Sequence, residues 1–247
     1  MYRDRIESSS PKSESGLKLQ EVMIQYHDFQ RAPNGVAQND LDRLSEWQSK
    51  RLQNSHHDFY TDPEYSDGLK FLLSELYSPQ DFSSRDNDLE RIFPKILKFL
   101  PEAAIETVAA LIELNLLTQK LDQELGKQLF TGTDNARLNQ SSYCKAYRSC
   151  QNKPLRLKQI SLIDDVGQKL DKYARSHVIN YSLKLTTKPA ELAGLEALHS
   201  FITRGFNAFH GMSDIKHLMH ALVSRERTIL ENIFQNAPEP FMLQTSL

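Results

Sequence analysis

From Pro101 to Leu129 the chain carries apolar residues on almost every side of a helix, and the run is far too long for a strand. Leu100-Pro101-Glu102 opens it with proline at a first helical position, where the missing N–H breaks no bond, and an acid that suits the helix dipole. A helix that is apolar nearly all round has to be covered by other helices. The segment therefore predicts the centre of an all-α bundle, and nine Gly with ten Pro in 247 residues are too few turn formers for a chain of many short strands. We expect one bundle of about eight helices, a number in keeping with the chain length.

The flanking segments read the same way. Leu17 to Phe29 forms a helix closed by Arg31-Ala-Pro-Asn-Gly35, and Asn39 caps a second that runs to about Tyr60, where Thr61-Asp-Pro63 stops it. Glu64 to Tyr77 is a third. Ser83-Ser-Arg-Asp86 has capping-box spacing and starts a helix that Pro94 kinks. After a polar loop over Thr131 to Asn139 come a short helix, Gln140 to Cys150, and a long one from Asn152-Lys-Pro154 to about Leu185. Lys188-Pro189 opens the next, and beyond Gly211-Met-Ser213-Asp a last helix ends near Phe234. The Ser-, Lys- and Glu-rich start has neither the apolar core nor the cleavage site of a signal peptide and reads as disorder. The expected organisation is a disordered segment over residues 1–16, a helical domain over 17–235 and a flexible tail over 236–247.

Apolar residues at 39% and charged residues at 25% describe a chain that folds in water. A formal charge of −2 with the signs interspersed supplies no basic stripe for phosphates, so nucleic acid is not an expected partner. The apolar run of Ala103 to Leu117 is interrupted by Glu106 and Glu113 and is too short to span a bilayer, so neither is a membrane. Cys144 and Cys150 form no disulfide framework, which fits a reducing, cytoplasmic setting.

Phe71-Leu-Leu-Ser-Glu-Leu-Tyr77 resembles the Phe-Phe-Leu-Glu-Glu-Leu-Tyr (FFLEELY) motif that names a group of bacterial proteins, departing from it at Leu72 and Ser74. Tyr77-Ser-Pro-Gln-Asp-Phe-Ser-Ser-Arg-Asp86 is similar to that group's continuation, as are Glu113-Leu-Asn115, Leu121-Asp122 and Arg225-Glu226, so the resemblance covers roughly Asp42 to Phe241. It implies an all-helical bacterial domain and carries no assigned activity.

Helical phase, about 100° per residue, sorts the polar side chains. Glu102, Glu106, Glu113, Lys120 and Glu124 share a narrow stripe that reads as a water-facing edge. Asn115 and Asp122 lie opposite, among Ala104, Val108, Leu111 and Leu129, where buried polar groups need partners. In the last helix Glu226 falls inside the stripe of Ile215, Leu218, Met219, Leu222, Ile229, Leu230 and Ile233, and in the second Arg51 falls on the face of Leu41, Leu44, Trp47 and Leu52. A buried Arg51–Glu226 pair satisfies both, with Arg85 as the competing cation. Arg51, Arg85, Asn115, Asp122 and Glu226 are thus the candidates for a buried polar network.

Glu196-Ala-Leu-His199 has the carboxylate-x-x-His spacing of helical di-iron proteins, but that pattern occurs in pairs joined by two further carboxylates, and no second copy exists here. His199 shares the apolar face of Leu192, Leu195, Ile202 and Phe206 and reads as a core histidine. His217 and His220 point away from the apolar stripe, and His56-His57 has no partners at ligand spacing. No catalytic residue, metal or cofactor is assigned. The expected function is a non-catalytic cytoplasmic protein that binds a partner protein or small molecule. The alternative is a helical metal-dependent oxidase or oxygenase built on Glu196 and His199, with Glu106 and Glu113 converging.

Overall fold

A computed structural model describes residues 2–32, 35–77, 93, 97, 102–130, 138–175, 177–192 and 196–243. The fold is all-α: helices α1 (Tyr2–Glu7), α2 (Glu14–Arg31), α3 (Gln38–Ser55), α4 (His57–Thr61), α5 (Ser66–Tyr77), α6 (Glu102–Phe130), α7 (Gln140–Ser149), α8 (Lys153–Ala174), α9 (His177–Leu192), α10 (Glu196–His210) and α11 (Ile215–Phe234), with no strand among the described residues. The capping box at Ser83, the kink at Pro94 and Arg85 lie outside the described residues. Contacts group the chain into two compact units. Residues 1–32, 80–116 and 166–213 form the first, and residues 33–79, 117–165 and 214–247 the second.

The first unit packs Ile6, Leu19, Val22, Met23, Phe93 and Ile105 into one core, together with Ala109, Ile112 and Leu116 of α6. The disorder expected over 1–16 gives way to α1, whose Ile6, among charged sequence neighbours, is fully buried. The amide of Gln20 fixes that helix by donating to the carbonyls of Ile6 at 2.6 Å and Ser9 at 2.9 Å. Ser13 caps α2 by accepting from Gly16 N–H at 3.1 Å. Gly16 is needed there, since a Cβ would come within 2.9 Å of Pro11 Cβ. Ile6→Ala should cost about 2–5 kcal/mol in denaturant unfolding. A neutral result would show that α1 does not hold its place.

The long helix expected from Asn152 to about Leu185 ends at Ala174, and Pro189, expected to open the next, lies inside α9. Its missing N–H would have bonded the Leu185 carbonyl, so proline removes one bond in the last turn, and α9 stops three residues later at Leu192.

The second unit has its own core of Leu44, Leu125, Leu129, Tyr143, Tyr147 and Val223, extended by Ile229, Leu230 and Ile233. Asn139 and Ser142 close a reciprocal capping box on α7, and Asp214 caps α11 by accepting from His217 N–H. The helix expected from Asn39 to Tyr60 breaks at His56, whose φ of −124° and ψ of 30° end α3 and start α4. After α11 the chain reverses through Asn236, at φ 56°, with Ala237 N–H on Asn232 O and Asn236 N–H on Ile233 O, the paired bonds of a Schellman motif. Of the tail expected over 236–247, residues 236–243 therefore return to the core. Pro240 is buried, and Phe241 and Leu243 pack against the second unit's core.

Candidate functional site

Four helices of the second unit carry side chains at the same spacing along their inner faces: Leu44-Gln48-Arg51-Ser55 on α3, Thr118-Asp122-Leu125-Leu129 on α6, Arg156-Gln159-Ile163 on α8 and Leu222-Glu226-Ile229-Ile233 on α11. Each stripe would be an ordinary apolar seam were it not for the polar residues set into it. Those residues meet. Arg51 Nη1 donates to Glu226 Oε1 at 2.6 Å and to Oε2 at 2.8 Å, and His56 Nε2 sits 2.9 Å from Oε1.

His56 is wholly buried, while about 18% of the Glu226 side chain still touches solvent. Burial pushes the Glu226 carboxyl upward, but the Arg51 guanidinium and the His56 contact more than offset it and hold the group at about 2. An ionised carboxylate only accepts, so the hydrogen between the two belongs to His56 Nε2. Its Nδ1 and the adjoining Ser55 Oγ are buried with no hydrogen-bond partner among the described residues. Both are able to take a polar group.

A second cluster surrounds Asp122. Gln48 Nε2 donates to Asp122 Oδ1 at 3.0 Å, and Arg156 Nη1 stands 4.0 Å from the same oxygen. Arg156 also donates to the Leu121 carbonyl at 3.3 Å, and Gln159 donates to Thr118 Oγ1 at 2.8 Å. Burial raises the Asp122 carboxyl, with Arg156 and Gln48 opposing it only in part. The two carboxylates thus differ: Glu226 is a fixed anion, whereas Asp122 protonates more readily than an exposed aspartate.

Aromatic rings enclose both clusters. The Arg51 guanidinium lies 5.6 Å from the Phe241 ring centroid and that of Arg156 lies 4.5 Å from Tyr147. Trp47 stacks on Tyr143 at 4.2 Å. Burial raises the phenols of Tyr143 and Tyr147 and pushes the Cys144 thiol up to about 11, the opposite of what a nucleophilic thiol needs.

Of the residues singled out in the sequence, Arg51, Asp122 and Glu226 fall within this unit, and Arg51 and Glu226 touch. Asn115 is half-buried and belongs to the first unit, and Arg85 lies outside the described residues. Gln48, Arg156 and Gln159 belong to the network without having been picked out, and so does His56, which was weighed only as a metal ligand. In the acidic stripe of α6, Glu102, Glu106 and Glu124 are exposed and Glu113 is half-buried, and each is engaged: Ser15 N–H approaches Glu102, Lys169 pairs with Glu106, Lys18 with Glu113, and the Asn152 amide donates to Glu124. His199 Nε2 lies 3.0 Å from the Leu183 carbonyl of α9, and Glu196 is exposed. That contact gives the imidazole a helix-pairing role. Among the described residues no three His, Cys, Asp or Glu side chains gather as metal ligands. Nor is any described helix long and apolar enough to cross a membrane.

The sequence model of one protein family matches residues 27–240, most of the chain. The chain belongs to that family, described as Domain of unknown function (DUF8198). The match takes in every residue of the network except the Phe241 ring over Arg51. No curated protein and no solved structure matches the chain.

Proposed function

We propose that this DUF8198 chain is a non-catalytic protein that binds a partner, protein or small molecule, and that it works in the reducing cytoplasm of a bacterium. The resemblance of Phe71 to Tyr77 to the FFLEELY motif supports the bacterial source, and two free cysteines support the compartment. The network of Arg51, Asp122 and Glu226 is read as structural. Its charges are balanced within the unit, and buried polar groups of this kind fix helix register.

The observation that carries the reading lies on α9, in the first unit. Tyr181, Leu185 and Leu192 are 66%, 60% and 90% exposed. At about 100° per residue they share one narrow stripe, and that stripe is on the opposite side of the helix from Leu183, where His199 of α10 takes hold. A helix with apolar residues on two opposite faces is suited to lying between two partners, and α10 supplies only one.

Affinity isolation of the full chain from the cells that make it tests this. A stoichiometric companion is expected with the wild type and not with a Tyr181→Ser/Leu185→Ser variant of equal thermal stability. No companion with either protein, neither another molecule nor a second copy of the chain, overturns the reading. Near-stoichiometric iron or manganese that disappears in His199→Ala would favour the oxidase alternative instead.

A further inference from the structure

Tyr181, Leu185, Lys188 and Leu192 follow one another along α9 at intervals of four, three and four, the spacing of a coiled-coil seam. The seam is apolar at three positions and bears a lysine at one. Beside it, on a single flank, lie Lys184 and Glu191, about 100° and 120° around the helix from Leu185. Lys184, Lys188 and Glu191 are all exposed, and among the described residues none of them makes an ion pair.

We propose that the partner of this face is a second copy of the same chain, bound antiparallel, α9 against α9, an inference that rests on the binding role given to α9 above. A two-fold axis lays a flank of one helix on the same flank of the other with its direction reversed. Lys184 of one copy then faces Glu191 of the second, and the pair occurs twice. Within the seam, Tyr181 packs on Leu192 of the second copy, and the aliphatic stem of Lys188 covers Leu185 while its ammonium reaches water.

The parallel arrangement fails on both counts. It sets Lys188 directly against Lys188 and puts the Lys184 and Glu191 flanks of the two copies on opposite sides of the seam, where they do not pair. A polar residue in one seam position commonly selects orientation in this manner. The lone helix pair makes a small interface, so the dimer is weak and concentration-dependent.

Sedimentation equilibrium of the full chain over a range of concentrations decides the matter. The mean mass should climb from monomer towards dimer. Lys184→Glu and Glu191→Lys should each weaken association roughly ten-fold, by turning two attractions into two repulsions. The double variant should restore it, and Leu185→Asp should abolish it without changing the thermal midpoint. Because all three residues are exposed, loss of the fold does not confuse the result.

A chain that stays monomeric throughout, a dimer indifferent to Leu185→Asp, or a charge-exchanged double variant no better than the singles would each overturn the proposal. A monomer that nonetheless retains a companion through Tyr181 and Leu185 overturns self-pairing alone and leaves the binding role standing. A monomer with no companion ends both.

Discussion

Glu226→Ala and Arg51→Ala should each lower the unfolding free energy by about 3–5 kcal/mol, the range for removing one partner of a buried ion pair and stranding the other. The double variant should lose less than the sum of the two, with a coupling of about 1–3 kcal/mol. The neighbouring residue supplies the control. Arg225 points out of α11 to Asp58, with bonds of 2.7 and 2.6 Å, yet more than half of the Asp58 side chain is exposed. Asp58→Ala should therefore cost only about 0–1 kcal/mol despite its bidentate geometry. Adjacent residues on one helix then differ several-fold because solvent reaches one pair far more than the other. Denaturant unfolding that finds Glu226→Ala as mild as Asp58→Ala would show that the internal pair adds nothing beyond a surface contact.

The same carboxylate sets an acid limit. Its folded value, about 2, lies below the ordinary 4.5, so its contribution is complete above pH 4.5 and is lost as pH falls from there through about 2. The full shift corresponds to about 3 kcal/mol. The gap in stability between the wild type and Glu226→Gln should therefore be widest at neutral pH and narrow across that acid window. A gap that does not change with pH would mean that Glu226 is not ionised in the folded protein.

What the sequence revealed depended on helical phase, and it stopped where phase stops. Within α11 the apolar stripe put Glu226 on an inner face, and within α3 Arg51 fell between Leu44 and Leu52, so two members of one contact were visible from two independent periodicities. His56 was not. It lies five residues beyond Arg51, off that face in a continuous helix, and reaches Glu226 only because α3 ends at His56. Arg156 escaped notice because Lys153-Pro-Leu-Arg-Leu-Lys158 has the look of a charged helix start, and only tertiary packing slides its guanidinium over Tyr147.

Composition misled at the N-terminus. Charged and small polar residues dominate it, but a six-residue helix docks there through the buried Ile6, the Gln20 amide on the carbonyls of Ile6 and Ser9, and an Arg3–Asp28 ion pair. Asn115 and Asp122 share a face of α6, yet residues seven apart on a long helix need not share neighbours, and these two fall in different units. The outer face of α9 was masked by the break assigned at Lys188-Pro189, which cut its seam in two.

The C-terminal return supplies the other large effect. Phe241 meets Trp47 edge-on at 5.9 Å and Tyr143 at 6.2 Å, and its ring covers the Arg51 guanidinium. Asn232 and Gln140 hold the strand of chain that leads to it by donating to the carbonyls of Pro240 and Pro238, each at 3.3 Å. Phe241→Ala should cost about 3 kcal/mol, the low end of phenylalanine truncations because the ring is not wholly buried. Phe241→Leu keeps the apolar cover and loses the ring face, so it should cost about 1 kcal/mol. Part of that loss acts through Arg51, whose charge becomes better hydrated and pairs less strongly with Glu226 once the ring is gone. Phe241→Ala and Arg51→Ala should therefore be less than additive in denaturant unfolding. Additive losses would mean that the ring stabilises the aromatic cluster alone, and a neutral Phe241→Ala would mean that the return segment rests on the core without sealing it.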